Sequence, residues 1–231
     1  MLGGKKVYHQ IKPALRDNCL KMGRDKLFKL LSAYDLLIKP KRRYTTTTNS
    51  KHWLRKYPNI LKEKIITQPE EAWVSDITYI KTDEGNCYLT MVTDVFSRKI
   101  MGYAIAQNMN TAELKKAYQM AIESITYPDN KLIHHTDRGL QYCSGEYIKL
   151  STDNNISISM TVNGDPYENA LAERMNRTLK EEFGLGRQLP SKQQAFQIVE
   201  EAVELYNQRR PHLSLKMKTP NNVHLQKIPA T

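Results

Sequence analysis

Cysteine is scarce in this chain: Cys19, Cys87 and Cys143 are all there is. They are odd in number and widely scattered, with no C-x-x-C pair and no His/Cys spacing of a zinc finger. Neither a disulfide framework nor a structural zinc site is supported, and a reducing, cytoplasmic setting is the expectation. Long hydrophobic runs are missing too, and no signal-peptide core opens the chain, so no membrane span is expected. Negative charge is in deficit: 24 Asp and Glu stand against 35 Lys and Arg, a formal charge of +11. Such an excess calls for a polyanionic partner. Nucleic acid is the simplest, and an acidic membrane surface is its rival. With 231 residues, 40% of them hydrophobic, there is enough chain for one main domain and a small one.

The stretch that organises the rest is 164–183. Gly164, Asp165 and Pro166 punctuate its start, and no further Gly or Pro occurs until Gly184. Ala172, Met175, Leu179 and Phe183 recur at helical spacing and make one apolar stripe. Glu173 and Lys180 lie two turns apart on nearly one side, with Asn169 and Asn176 close to them. Taken alone this is an ordinary amphipathic helix. Two aspartates upstream change that reading. Asp76 stands inside the β-rich run 73–80, and Asp137 follows the apolar run 132–136.

Along the chain, 5–38 reads as two short helices around a turn at Gly23. Pro13 should start, kink or end the first; Leu27, Leu30, Leu31, Tyr34 and Ile38 form an apolar face on the second. Residues 39–67 read as an extended basic linker, in which Lys41, Arg42 and Arg43 either touch phosphates or serve solubility. From 68 onward, strands are expected at 73–81, 87–95 and 98–106, with a hairpin turn at 83–86. A helix over 111–124 capped by Thr111, a buried strand at 132–136, a helix at 144–153 and a strand at 156–160 follow. After the key helix comes another over 191–209. This order predicts an α/β fold, a mixed five-stranded sheet flanked by helices.

Thirty-five residues stand between Asp137 and Glu173. The pattern resembles the Asp, Asp, thirty-five, Glu signature of retroviral-integrase-like transposases, and most closely the second-frame proteins of the third insertion-sequence family. The resemblance is carried by Trp73, Asp76, Ile77, Thr78 and Tyr79; by Asp94, Ser97, Arg98 and Gly102; and by His135, Thr136, Asp137, Arg138 and Gly139. Glu168, Asn169, Ala170 and Glu173 extend it, with Lys180 seven residues on, then Tyr206, Asn207, Arg209, Arg210, Pro211 and His212. Thr136 and Arg138 replace the commoner Ser and Gln of the motif, and Glu168 its commoner Asp.

The resemblance implies a ribonuclease-H-like core at 68–186, preceded by a helix-turn-helix-like segment at 1–38 and followed by a C-terminal helix and tail at 187–231. It implies a DNA transposase that cleaves strands and transfers a 3′-OH, with Asp76, Asp137 and Glu173 catalytic and holding Mg²⁺ or Mn²⁺, two ions in all. Carboxylates suit hard cations, and two such ions stabilise the charge that builds on the attacking and leaving oxygens. Lys180, Arg177, Arg209 and Arg210 would contact DNA, unless Pro211 and its neighbours simply stop the long helix. His135 either positions the site or contacts DNA, or is a plain polar strand end; Asn169 supports the motif, and Asp94 is read as structural. Double-stranded DNA, further copies of the chain and a first-frame partner protein are the implied partners, in a prokaryotic, nucleoid-associated location. Two other readings stay open: a non-catalytic DNA-binding regulator, and a metal-dependent nuclease without strand transfer.

Overall fold

The computed structural model describes residues 4–37, 53–162 and 169–226. Five strands form one sheet: β1 (Ala72–Thr82), β2 (Gly85–Asp94), β3 (Ile100–Ala106), β4 (Ile133–Thr136) and β5 (Ser157–Met160), in the order β3-β2-β1-β4-β5. The first three run antiparallel through short turns, and β4 and β5 join parallel to β1. The two-residue turn at Asp83 and Glu84 is tighter than expected, because Thr82 already pairs with Gly85, whose φ of +106° suits glycine.

Alternation along β1 and β2 divides the core in two. On one face Trp73, Val92 and Met101 pack with Leu114, Tyr118 and Tyr147. These come from α3 (Thr111–Glu123) and α4 (Gly145–Asp153). On the other face Ile80, Leu89 and Met91 meet Met175, Leu179, Val199 and Tyr206. Those belong to α5 (Ala170–Glu182) and α6 (Lys192–Arg209). The Ala172, Met175 and Leu179 stripe of α5 is buried as its spacing required. The mixed five-stranded sheet flanked by helices is therefore the fold observed.

Several details differ from expectation. Asn110, not Thr111, caps α3: its side chain accepts from the Glu113 N–H at 3.0 Å, leaving Thr111 as the first helical residue. Pro13 lies inside α1 (Gly4–Asp17) rather than at either end; α2 (Arg24–Ala33) follows. Of the apolar face predicted for α2, only Leu27 is buried; Leu30 and Tyr34 stay 39% and 70% exposed, and Ile38 lies outside the described residues. Part of the expected linker hugs the core. The Ile60 N–H donates to Ser159 Oγ at 3.0 Å, and Leu54 and Tyr57 pack on the α3–α4 side. After α6 a 3-10 turn at Leu213–Leu215 leads to α7 (Pro220–His224). No helix among the described residues is long and apolar enough to cross a membrane.

Candidate active site

Sheet order brings the first two acids together. Val74 of β1 faces His135 of β4 in a parallel pair, so Asp76, within β1, and Asp137, just past the end of β4, stand at the same level two residues farther on. Asp76 is half-buried. Its Oδ1 accepts from the Ile77 N–H at 2.9 Å and its Oδ2 from Asn176 Nδ2 at 2.8 Å. Burial first, then the Asp137 carboxylate, and more weakly Glu173, push the Asp76 carboxyl up to about 7. Asp137 accepts from the Gly139 N–H at 2.8 Å. A Cβ on residue 139 would stand 2.9 Å from Asp137 Oδ1, which accounts for glycine there.

Glu173 comes from the first turn of α5, which packs over β1, and its side chain is exposed. Burial raises its carboxyl above the ordinary range. Among the described residues no three His, Cys, Asp or Glu side chains are close enough to hold one metal ion together. Asp137 and, more weakly, Glu173 both act electrostatically on the Asp76 carboxyl, although the three do not form one ready-made metal cluster. The donors themselves are hard oxygens, the type that Mg²⁺ and Mn²⁺ take.

Lys180 sits half-buried with Nζ 4.5 Å from the Tyr79 ring centre. Burial lowers its ammonium, against the opposing pull of Tyr79 and Asp76, so it lies on the acid side of β1. Arg177 is exposed and pairs with Glu181 at 2.9 Å. Arg209 is exposed as well. Arg210 is not available to DNA, contrary to expectation. It is 5% exposed and forks onto Glu182 at 2.6 and 2.7 Å. The α6 helix ends at Arg209, and Arg210 turns inward to neutralise a buried acid. Lys41, Arg42, Arg43 and Glu168 lie outside the described residues.

His135 is fully buried, with Nδ1 2.8 Å from Ser159 Oγ on β5, so it braces the strand that carries Asp137 rather than meeting DNA. His134 points to the opposite face, 2.6 Å from Ser75 Oγ, and burial holds it neutral at about 3. Asn169 donates to the Ser75 carbonyl at 3.1 Å. Asp94 takes the structural place expected of it. It accepts from Ser97 N, Ser97 Oγ and Glu70 N, each at 2.7 Å.

Sequence reasoning assigned no role to Asn176, although its position three residues after Glu173 and seven after Asn169 is the signal that marks it. It also missed two buried charge clusters, Glu182 with Lys6 and Arg210, and Glu70 with His224. Their members are too far apart in the chain to leave a pattern.

Comparison with known proteins adds the following. Two sequence patterns, both described as Integrase core domain, match residues 66–166 and 154–220. The insertion element IS600 uncharacterized 31 kDa protein of Shigella sonnei is 35% identical over 213 residues, 91% of this chain and 78% of that protein. The transposase for insertion sequence element IS904 of Lactococcus lactis subsp. lactis is 34% identical over 179 residues, 74% of this chain and 70% of that protein. Among solved structures, the HTLV-2 integrase catalytic core domain in complex with magnesium (dimeric form) shares the fold. Its TM-score is 0.53 at 22% identity, over 68% of this chain and 97% of that one.

Proposed function

This chain belongs to the insertion-sequence transposases built on an integrase core domain, and from that premise we propose that Asp76, Asp137 and Glu173 are its catalytic acids for cleaving and joining DNA strands. The observation that carries the reading is the closeness of Asp76, within β1, to Asp137, just past the end of the adjacent parallel strand β4, beneath the helix that bears Glu173. A basic chain with two acids pressed together, one of them shifted to about 7, is built to receive cations at that point.

Mg²⁺ or Mn²⁺, two ions, would be held by Asp76 and Asp137, with Glu173 closing on them from α5. When bound, they neutralise the carboxylates and stabilise charge on the attacking and leaving oxygens. The chain's own groups do the rest. The Ile77 N–H and Asn176 hold Asp76 in one orientation, and the Gly139 N–H does the same for Asp137. Such fixed groups lower the reorganisation that the reaction requires. Lys180, beside Tyr79, meets a phosphate near the scissile bond; Arg177 and Arg209 offer further phosphate contacts.

Two displacements at phosphorus then share one site. Water attacks at the element's end, a P–O bond forms as another breaks, and a 3′-OH is released. That hydroxyl attacks a second phosphodiester in the same way and joins the strands. The partners are the double-stranded ends of the element and a target duplex. Holding two ends calls for more than one copy of the chain, with a first-frame protein completing end recognition. The bacterial cytoplasm, at the nucleoid, is the compartment that fits.

The test uses labelled terminal-repeat DNA with Mg²⁺ or Mn²⁺. Asp137→Asn and Glu173→Gln should each lose cleavage and joining while DNA binding persists, and chelation of the metal should do the same to the parent chain. Joining that survives either substitution would overturn the assignment.

A further inference from the structure

Two asparagines tie α5 to β1, and they do so at consecutive residues of the strand. Asn169 Nδ2 donates to the Ser75 carbonyl at 3.1 Å; Asn176 Nδ2 donates to Asp76 Oδ2 at 2.8 Å. Seven residues separate the two, so they share one face of the helix, and Glu173 lies between them within about 40–60° of either. Both side chains are buried, at 6% exposure. Which way each amide is turned follows from chemistry, because reversing either would set oxygen against oxygen.

What distinguishes this pair from ordinary packing is the other half of each amide. Asn169 Oδ1 and Asn176 Oδ1 are buried and have no hydrogen-bond partner among the described residues. A buried acceptor without a donor is costly, on the order of 1–3 kcal/mol. Position 176 adjoins Met175 on the helix face that packs toward β1, and an apolar side chain of similar size would avoid that cost. Asn176 also spends its donor on a carboxylate, although backbone bonds already satisfy the helix.

We infer that Asn176 is a positioning residue for metal capture: it holds the Asp76 carboxylate in the orientation that receives a cation and offers a neutral oxygen to that cation's water. Asn169 is the second rung, setting the register of α5 so that Glu173 stands over the acids. An uncharged acceptor suits the waters that Mg²⁺ retains, since it accepts from them without adding to the repulsion between Asp76 and Asp137. The inference rests on the catalytic reading of the three acids given above.

The experiment measures binding of Mn²⁺ alone to the full chain, without DNA, from the electron paramagnetic resonance signal of the free ion. Thermal unfolding in EDTA is followed in parallel. Asn176→Leu should weaken Mn²⁺ binding roughly tenfold while leaving the unfolding midpoint level or higher. Asn176→Ala, which cannot overpack, should show the same loss of affinity and guards against a Leu variant that does not fold. Asp76→Asn is the control. If it abolishes binding while both Asn176 variants bind within twofold of the parent, the inference is wrong and the catalytic reading stands. If Asp76→Asn binds like the parent, the catalytic reading itself has failed. Affinity that falls only in step with a lowered midpoint assigns Asn176 to packing and also overturns the inference.

Discussion

At the scale of single residues, Asp76 concentrates the conflict between folding and chemistry. Its carboxyl is half-buried, faces Asp137 and stands at about 7 against an ordinary 3.8. An acid raised in this way holds its proton more tightly when folded. Its contribution to stability is therefore intact below about pH 4 and is lost as pH climbs through 7. The metal-free protein should weaken across that window, by an amount on the order of 2–4 kcal/mol from this group. Asp76→Asn removes the charge, so the variant should melt roughly 5–10 °C higher than the parent at pH 8 in EDTA, with the gain gone at pH 4. Scanning calorimetry at the two pH values decides it, and an Asn variant less stable at both would contradict the account. The candidate acids were legible from residue type and spacing once the family resemblance was added. The exposure of Glu173 was not, because spacing carries no information on where a long side chain settles.

Among the elements, close approach of α3 to β3 turns on one glycine. A Cβ on Gly102 would collide with the Ala117 carbonyl and lie 2.6 Å from the Ala121 N. Both are backbone atoms of α3, so no rotamer change relieves the clash and the helix must move away from the sheet. Gly102→Ala is expected to cost about 3 kcal/mol or more, read as a fall in the urea midpoint at unchanged slope. From β1 to α6, strand and helix positions were legible to within a residue or two, because alternation along β1 and β2 and the stripe on α5 are local. The cap at Asn110 and the exposed face of α2 were not: two adjacent polar residues compete for a cap, and an apolar stripe is buried only where something covers it.

Over the whole molecule, charge does two separate jobs. Exposed Lys and Arg serve a polyanionic partner, whereas Lys6 and Arg210 converge on Glu182 and join α1, the end of α5 and the end of α6. Burial alone would raise the Glu182 carboxyl, but Arg210 and Lys6 hold it below its ordinary range. His224 makes a second tie, with Nε2 3.0 Å from Glu70 Oε1, while the Tyr127 hydroxyl donates to its carbonyl at 2.8 Å. Glu70 adopts a φ of +61° in the same network. Arg210→Ala leaves the Glu182 carboxylate to Lys6 alone and should destabilise the chain by about 2–3 kcal/mol. It should leave the salt dependence of DNA binding unchanged, whereas Lys180→Ala should lower that slope by about one. Fluorescence anisotropy across 50–200 mM salt separates the two, and a reduced slope for a folded Arg210 variant would return that residue to the DNA surface.

From the order of residues alone came the element types, the sheet with helices on both sides, the acids and the basic character of the chain. Each of these follows from periodicity, residue chemistry or fixed spacing, which a linear chain displays. Tertiary structure decided which acids meet, since β4 had to lie beside β1 before Asp137 could face Asp76. It also decided that Arg210 is a buried counter-charge while Arg209 stays outside, and that Asn176 holds a carboxylate. Those outcomes depend on partners 28 and 100 residues away in the chain. At such separations only the packed fold sets distance, burial and the sign of the local field.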